Sequence, residues 1–579
     1  MIYRLDFYLE SLNSYLNIFS IIGIIAASGV LFFSLLKQTD KWERLLLGVI
    51  FFSSGFMRFV FGSFAPWRQH SHYVEIFSNL QSNLYQTGLL SITRMYHASG
   101  GLFEMFYDIP LQIIGEFNVY TIYYTSLAIH LIAGLLVFKL ALNLFKRKEV
   151  AFISYLVFAF LPILINISAS ELVFHINVLT ILLFANYLFH FFQKYKNNKA
   201  KWHHYFLLLS LFTANLLGRY EYLMIFIGAV LALTSLTAFK KKLVNEKIIK
   251  SKADYILLML ASLILIFAFY YHLWPVITAE GEFGYRWSSF VNLKLHLNSF
   301  RYFSNANPSH APFLRSFYTP LYFFALLVVT PFVLIFKKRF WLIVLNITTI
   351  ILMSFVIKPS LADFRRVMPF LIFLTPQIGY AFYLVLYKIR IPSKKILALA
   401  TFIIILSTYQ NSAFLNMETA RKVEQEFLIK NIERVPKDSL LITINSGDYR
   451  HIQQAHLFEE YLIPDDKNIK VTDLYEYMKD DSGIADQYES IYYYRSLRAY
   501  HEINLKSENG VKNPQNISSH EASKLFERTY ALSQIDKKKT INRLTDSYAA
   551  KNYAEGVNRT VKSGDYKKLE IVLFKLSDS

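Results

Sequence analysis

The sequence predicts an all-α polytopic membrane domain of about twelve spanning helices, followed by a small water-soluble α/β domain. Three observations predict it. Apolar residues arrive in blocks of bilayer-spanning length, basic clusters fall in alternate connections between the blocks, and both patterns stop near residue 412.

The blocks come first. The 579 residues are 54% hydrophobic and 17% aromatic, with 52 Phe and 40 Tyr, more apolar surface than one soluble core of this length buries. Spans are expected near 16–36, 44–63, 118–145, 150–167, 172–192, 203–217, 221–239, 255–275, 319–336, 340–357, 367–387 and 395–412, the stretch at 203–217 being notably short. The N-terminus MIYRLDFYLE mixes Arg4 with Asp6 and Glu10, unlike the basic start of a secretory leader, so the first block is expected to stay as a spanning helix. The absence of cysteine excludes disulfides and thiolate metal sites. Together with the excess of Lys, Ile, Phe and Tyr, it suggests a bacterial source with an AT-rich genome.

Charge gives the blocks a direction. The net charge of +19 resembles a nucleic-acid signal until it is divided. Residues 413–579 hold 25 Lys+Arg and 26 Asp+Glu, whereas residues 1–412 hold 36 and 16, so the excess lies wholly in the membrane half and no nucleic-acid partner is expected. The clusters at 37–44, 146–148, 194–201, 240–252, 337–339 and 388–395 all occupy alternate connections. If these face the cytoplasm, the N-terminus and the domain from 413 onward are extracytoplasmic, which implies a multi-pass protein of the bacterial cytoplasmic membrane. Two of the opposite loops are long, about 64–117 and 276–318. The first carries SNLYQTGLLSITRMY and GLFEMFYDIPLQIIGEF, apolar at helical spacing but too short to span, as helices lying in the interface are.

In the C-terminal domain a helix is expected at about 414–434. SLLITIN at 439–445 reads as a strand, SGDYRHIQQAHLFEEYL as a helix, and KLEIVLFKL at 568–576 as a late strand.

Ionisable residues at membrane depth or at helix mouths need a reason. The expected topology gathers them at the outer face: Arg58 and Arg68 around the end of the second span, His70, His72 and Glu75 in WRQHSHYVEIF, Glu104 and Asp108 in the first loop, Glu171 in SASELVFH, Arg219 and Glu221 in LLGRYEYL, and Lys358, Asp363, Arg365 and Arg366 before the eleventh span. Each has a plainer reading. Arginines at helix ends snorkel to head groups, and acidic residues at helix starts favour the helix dipole. The His-x-His pair has no third ligand in register, so no metal site is assigned, although a divalent cation stays open as a cofactor. His451 and His456 read as surface residues.

The order of these features resembles the GT-C class of membrane glycosyltransferases, closest to the protein-mannosyltransferase-like branch that uses polyprenyl-phosphate sugars. The resemblance covers roughly residues 50–390. FAPWRQHSHYVEIFSNLQSNLYQTGLL stands where the family has its first external loop, and FYDIPLQIIGEFNVY matches its aromatic, proline-containing stretch. FLPILINISASELVFHINVLTILLF puts Glu171 at the family's acidic position, LLGRYEYLMIF opens a later span with a basic residue, and ADFRRVMPFLIFLTPQIGY puts Arg365 or Arg366 at the signature arginine. One departure stands out. The acidic residue that opens the family's first loop, thought to be the base toward the acceptor, is replaced by His70, Ser71 and His72, with Glu75 three positions on.

The resemblance implies transfer of a sugar from a polyprenyl-phosphate donor to a glycan, lipid or protein acceptor. His72 or Glu75 would be the base, with His70 behind them, and Arg365, Arg366 and Arg219 would stabilise the departing phosphate. Glu171 would hold sugar hydroxyls or the acceptor, with Arg68, Glu221 and Asp108 as further substrate-binding candidates, and the soluble domain is expected to cover the site. Two other classes stay open: a lipid-linked glycan polymerase or ligase, and a transporter or flippase. The first is expected to elaborate a late external loop, and the second to show paired repeats and charges along a path through the bilayer. Here the early loop is the elaborated one and the charges gather at one face.

Overall fold

The computed structural model describes residues 2–61, 102, 106–107, 109–110, 113, 119–168, 174–218, 252–269, 320–339, 342–346, 368–410, 426–443, 467–478, 487–495, 519–535, 539–542 and 568–576. They fall into two compact units, a helical one within Met1–Asn411 and an α/β one that comprises Ser412–Ser579 together with the short stretches Val60–Ser78 and Ala169–Glu171.

The helical unit opens with α1 (Ile2–Gln38) and α2 (Lys41–Phe61), joined by a tight turn that its sequence explains. Asp40 and Glu43 form a reciprocal capping box. Asp40 Oδ1 accepts from the Glu43 amide and Glu43 Oε2 from the Asp40 amide, both at 2.9 Å. Arg44 turns back to donate to the carbonyls of Leu36 (2.7 Å) and Thr39 (3.1 Å), which closes the end of α1. There follow α3 (Val119–Phe145), α4 (Lys148–Phe160), α5 (Pro162–Ile167), α6 (Phe174–Lys196), α7 (Trp202–Leu216), α8 (Lys252–Ala268), α9 (Leu321–Phe336), α10 (Met368–Lys388) and α11 (Ser393–Gln410). Among the described residues five stretches are long and apolar enough to cross a bilayer: Ser11–Gln38, Lys41–Phe61, Thr121–Phe145, His175–Lys196 and Leu371–Lys388. The chain is an integral membrane protein, mostly helical, with one small sheet.

Helix α4 is the centre of this unit. Every residue from Val150 to Phe160 is buried, and α3, α10 and α11 pack around it. Lipid tails give helices no hydrophobic reason to associate, so close backbone approach through small residues carries the packing. Gly134 of α3 and Gly379 of α10 supply it. A Cβ at Gly134 would lie 2.5 Å from Tyr155 Cε2, and one at Gly379 would lie 2.9 Å from the Ser154 amide nitrogen and 3.0 Å from its Cα. Backbone cannot swing aside, so Gly379→Ala is expected to destabilise the unit by about 1–3 kcal/mol. Thermal unfolding in detergent should show a lower Tm for Gly379→Ala and no loss for Gly29→Ala, since Gly29 has nothing within 4 Å of its Cβ position.

Three basic turns meet at one end of the unit. Lys148 pairs with Glu43 at 2.7 Å, and Arg147 donates to the Tyr383 hydroxyl at 2.8 Å near the end of α10. Lys139 of α3 donates to Ser34 Oγ (3.0 Å) and to Gln38 Oε1 (2.5 Å) at the end of α1.

Two boundaries differ from the sequence reading. The helix containing the first span begins at Ile2 rather than near 16. The expected span at 150–167 is interrupted at Leu161, which is extended (φ −69°, ψ 118°), because Pro162 lacks the amide a continuous helix would need. The expected span at 221–239 lies outside the described residues, as do most of that at 340–357, the loop at 276–318 and most of the loop at 64–117.

The α/β unit contains β1 (Leu440–Thr443), β2 (Lys470–Asp473), α12 (Leu474–Met478), β3 (Ile491–Arg495), α13 (Ser519–Thr529), β4 (Leu532–Gln534), β5 (Lys539–Asn542) and β6 (Lys568–Leu576). The sheet order is β2-β1-β3-β6-β4, with β5 also paired to β6. The β2-β1-β3 half is parallel, and β6 runs antiparallel to β3, β4 and β5. The run Leu440–Ile442 is buried on both faces, as a central strand between parallel neighbours should be. Leu440 and Ile442 pack with Tyr493 and Phe526 on one side, and Leu441 packs with Phe427, Ile432 and Tyr494 on the other. Residues 426–432 are helical, within the helix expected at 414–434, and Lys467 donates to the carbonyls of Ile432 and Val435 at its end. The helix expected from SGDYRHIQQAHLFEEYL lies outside the described residues.

Candidate functional site

The break between α4 and α5 sets the local problem. Pro162 has no N–H, and the extended Leu161 interrupts the helical hydrogen-bond ladder, so the carbonyls of Phe158, Ala159 and Phe160 are left without their usual helical donors inside an apolar unit. Unsatisfied carbonyls at membrane depth are costly, so other elements must supply donors. Arg58, near the end of α2, is fully buried. One of its terminal nitrogens donates to the Ala159 carbonyl at 2.5 Å and to Ser54 Oγ, and the other donates to the Phe158 carbonyl at 3.2 Å. Thr408 of α11 donates to the Phe160 carbonyl at 2.8 Å. The guanidinium carbon also lies 6.0 Å from the centre of the Phe158 ring.

A histidine pair stands beside this cap. His130 Nε2 of α3 and His175 Nδ1 of α6 share a hydrogen bond of 2.8 Å, and the His130 ring stacks on Phe158 at 6.1 Å. His130, His175 and Tyr155 are all buried. Among the described residues no carboxylate hydrogen-bonds or pairs with Arg58, and no group of three metal-ligating side chains occurs. Among the described residues, therefore, nothing offsets the charge of Arg58 except the carbonyl and hydroxyl oxygens that it binds.

The ten residues assigned from the sequence as catalytic or substrate-binding, His70, His72, Glu75, Arg68, Asp108, Glu171, Arg219, Glu221, Arg365 and Arg366, lie outside the described residues. The residues next to several of them are described. Tyr107, one position before Asp108, is fully buried, and its hydroxyl hydrogen-bonds Ser126 Oγ of α3 at 2.7 Å. Gly218, one position before Arg219, packs so closely that a Cβ there would lie 2.5 Å from Asn177 Oδ1. Asn177 belongs to the first turn of α6, six positions after Glu171, and Asn215 binds the α6 carbonyl of Thr180 at 3.2 Å.

The sequence reading found Arg58 but assigned it no specific partner, with snorkelling as the plain alternative for a helix-end arginine. The structure shows instead a buried cap for another helix. The signal was present in Leu161-Pro162, because a proline inside an apolar block announces orphan carbonyls that require a donor. His130 and His175 were missed, since single histidines in apolar helices, separated by 45 positions, carry no local pattern.

The chain aligns with the crystal structure of ArnT from Cupriavidus metallidurans bound to undecaprenyl phosphate, at a TM-score of 0.47 and 11% sequence identity, over 93% of this chain and 98% of that one. No protein-family model matches the sequence, and no curated protein does.

Proposed function

We propose that the protein is a membrane glycosyltransferase that moves a sugar from a polyprenyl-phosphate donor to a glycan, lipid or protein acceptor at the extracytoplasmic face. The observation that carries this reading is the charge of Arg58. A cation buried at a helix end, capped by carbonyls and neutralised by no described carboxylate, gives that end of the bundle a positive potential suited to an anionic head group. It lies next in the chain to the loop that bears Arg68, His70, His72 and Glu75. The close fit of Gly218 on Asn177 brings the end of α7 against the first turn of α6. The order of motifs along residues 50–390 supports the reaction class.

In this mechanism the acceptor hydroxyl oxygen attacks the anomeric carbon, and its proton passes to His72 or Glu75, with His70 behind them. The bond from the anomeric carbon to the phosphate oxygen breaks, and the polyprenyl phosphate leaves with the electron pair. Arg365, Arg366 and Arg219 stabilise the charge that develops there. Glu171 holds sugar hydroxyls or the acceptor, while Arg68, Glu221 and Asp108 complete the substrate contacts. The residues from 413 onward form an extracytoplasmic domain that shapes acceptor choice.

The test is transfer of a labelled sugar from its polyprenyl-phosphate carrier by membranes containing the protein. Label should leave the lipid and appear in an acceptor fraction. Label that crosses the membrane while still on its carrier would indicate a flippase instead. Loss of the base is expected to lower the rate by about 10²–10⁴. His72→Ala and Glu75→Gln should separate the two candidates, and full activity in both variants would remove the assigned base.

A further inference from the structure

The opposite, basic end of the helical unit carries a second polar cluster, which the transferase reading does not use. His190 of α6 stacks on His204 of α7 at 6.0 Å, and His203 lies 4.1 Å from His204. The charges of Lys194 and Lys139 both reach His190, and those of Lys194 and Lys201 both reach His204. Lys139 is itself only 3% exposed. None of Lys194, Lys196, Lys199 and Lys201 pairs with a carboxylate among the described residues. Asp254 of α8 lies nearby and accepts hydrogen bonds from the hydroxyls of Tyr195 (2.8 Å) and Tyr205 (3.0 Å).

An apolar groove of about 420 Å³ starts at the same point. It runs between α7 and α8, lined by Trp202, Phe206, Leu209, Ile256, Leu257 and Leu260, and His203 also borders it. Trp202 and Phe206 are 63% and 49% exposed. From Trp202 to Leu209 the groove follows α7 for about 10 Å. Tryptophan favours the membrane–water boundary, so Trp202 sets the depth at which head groups meet acyl chains.

Surface lysines alone would satisfy the ordinary bias of membrane proteins toward basic loops on one side. That bias requires neither stacked imidazoles, nor a buried lysine behind them, nor a groove that opens from the same turn. We propose that this end of α6, α7 and α8 binds an anionic glycerophospholipid of the adjacent leaflet. Its phosphate would sit against Lys194, Lys201 and His203, and one acyl chain would lie along the groove. The occupant follows from charge and shape together: the head must be anionic because the cluster is cationic, and the tail must be apolar because the groove is.

The experiment uses the full chain in detergent, with phosphatidylglycerol and phosphatidylcholine of identical acyl chains titrated and read by native mass spectrometry. Phosphatidylglycerol should bind at least about tenfold more tightly. Lys194→Gln and Lys201→Gln should each weaken it about fivefold, with phosphatidylcholine unaffected. Ala253→Phe, which fills the groove beside Trp202, should weaken both lipids while leaving the preference between them intact. Equal affinity for the two lipids, or unchanged phosphatidylglycerol binding in the two lysine variants, would overturn the head-group assignment. Unchanged binding in Ala253→Phe would overturn the groove. Displacement of phosphatidylglycerol by millimolar inorganic phosphate would make this a free-anion site and overturn the lipid.

Discussion

Arg58→Ala is expected to lower the thermal stability of the detergent-solubilised protein more than any other single change around the α4–α5 break, by about 2–4 kcal/mol. The truncation leaves the Phe158 and Ala159 carbonyls without donors inside the unit, and it strips Ser54 of its partner. Part of that cost is offset, because a buried guanidinium carries its own desolvation penalty, which the alanine variant no longer bears. Arg58→Lys retains the charge but replaces a planar, multi-donor head with a single ammonium, so it should fall between the two. The decisive variant is Pro162→Ala in the Arg58→Ala background. An alanine at 162 restores the amide that Pro162 lacks, and that amide is placed in sequence to serve the Phe158 carbonyl. The double variant should therefore be more stable than the sum of the single effects, by at least about 0.5 kcal/mol. Strict additivity would mean that Arg58 does not act as the cap of the broken helix.

The same interruption shows what the sequence could and could not reveal. Apolar blocks and basic turns locate helices because bilayer thickness and the charge bias act on every span alike. The helices that could be compared start or end near the expected bounds. β6 was legible for a similar reason, since KLEIVLFKL is a long run with strong strand preference. β2 and β4 were not legible: Lys470–Asp473 and Leu532–Gln534 are short and polar, and they are strands because β1 and β6 offer them partners. The break at Leu161 was signalled by Pro162 alone, since the hydropathy that set the bounds of its block registers side chains but not missing amides. The cap and the histidine pair depend on contacts between residues 101 and 45 positions apart, which periodicity does not record. The candidate catalytic residues were legible only through the order of motifs, and they lie outside the described residues, so activity measurements must decide them.

Replacing Arg365 and Arg366 together by alanine is expected to reduce transfer from the lipid-linked donor by about 10²–10³. A sugar phosphodiester carries one negative charge, and the phosphate released when the glycosidic bond breaks carries up to two, so a cation placed there stabilises the transition state more than the bound donor. The loss should therefore appear mainly in kcat, with a smaller change in KM. Lysine substitutions at both positions should recover part of the rate. They restore the charge but not the paired N–H donors that a guanidinium presents to phosphate oxygens. Stability separates this role from that of Arg58. Arg365→Ala/Arg366→Ala should lower kcat with Tm unchanged, whereas Arg58→Ala should lower Tm and, in the protein that stays folded, raise KM for the anionic donor with little change in kcat. Undiminished transfer by the double alanine variant would take the phosphate from these two arginines and leave Arg219 as the remaining assigned cation. A rise in KM alone, with kcat intact, would mean that the pair holds the donor without assisting its cleavage.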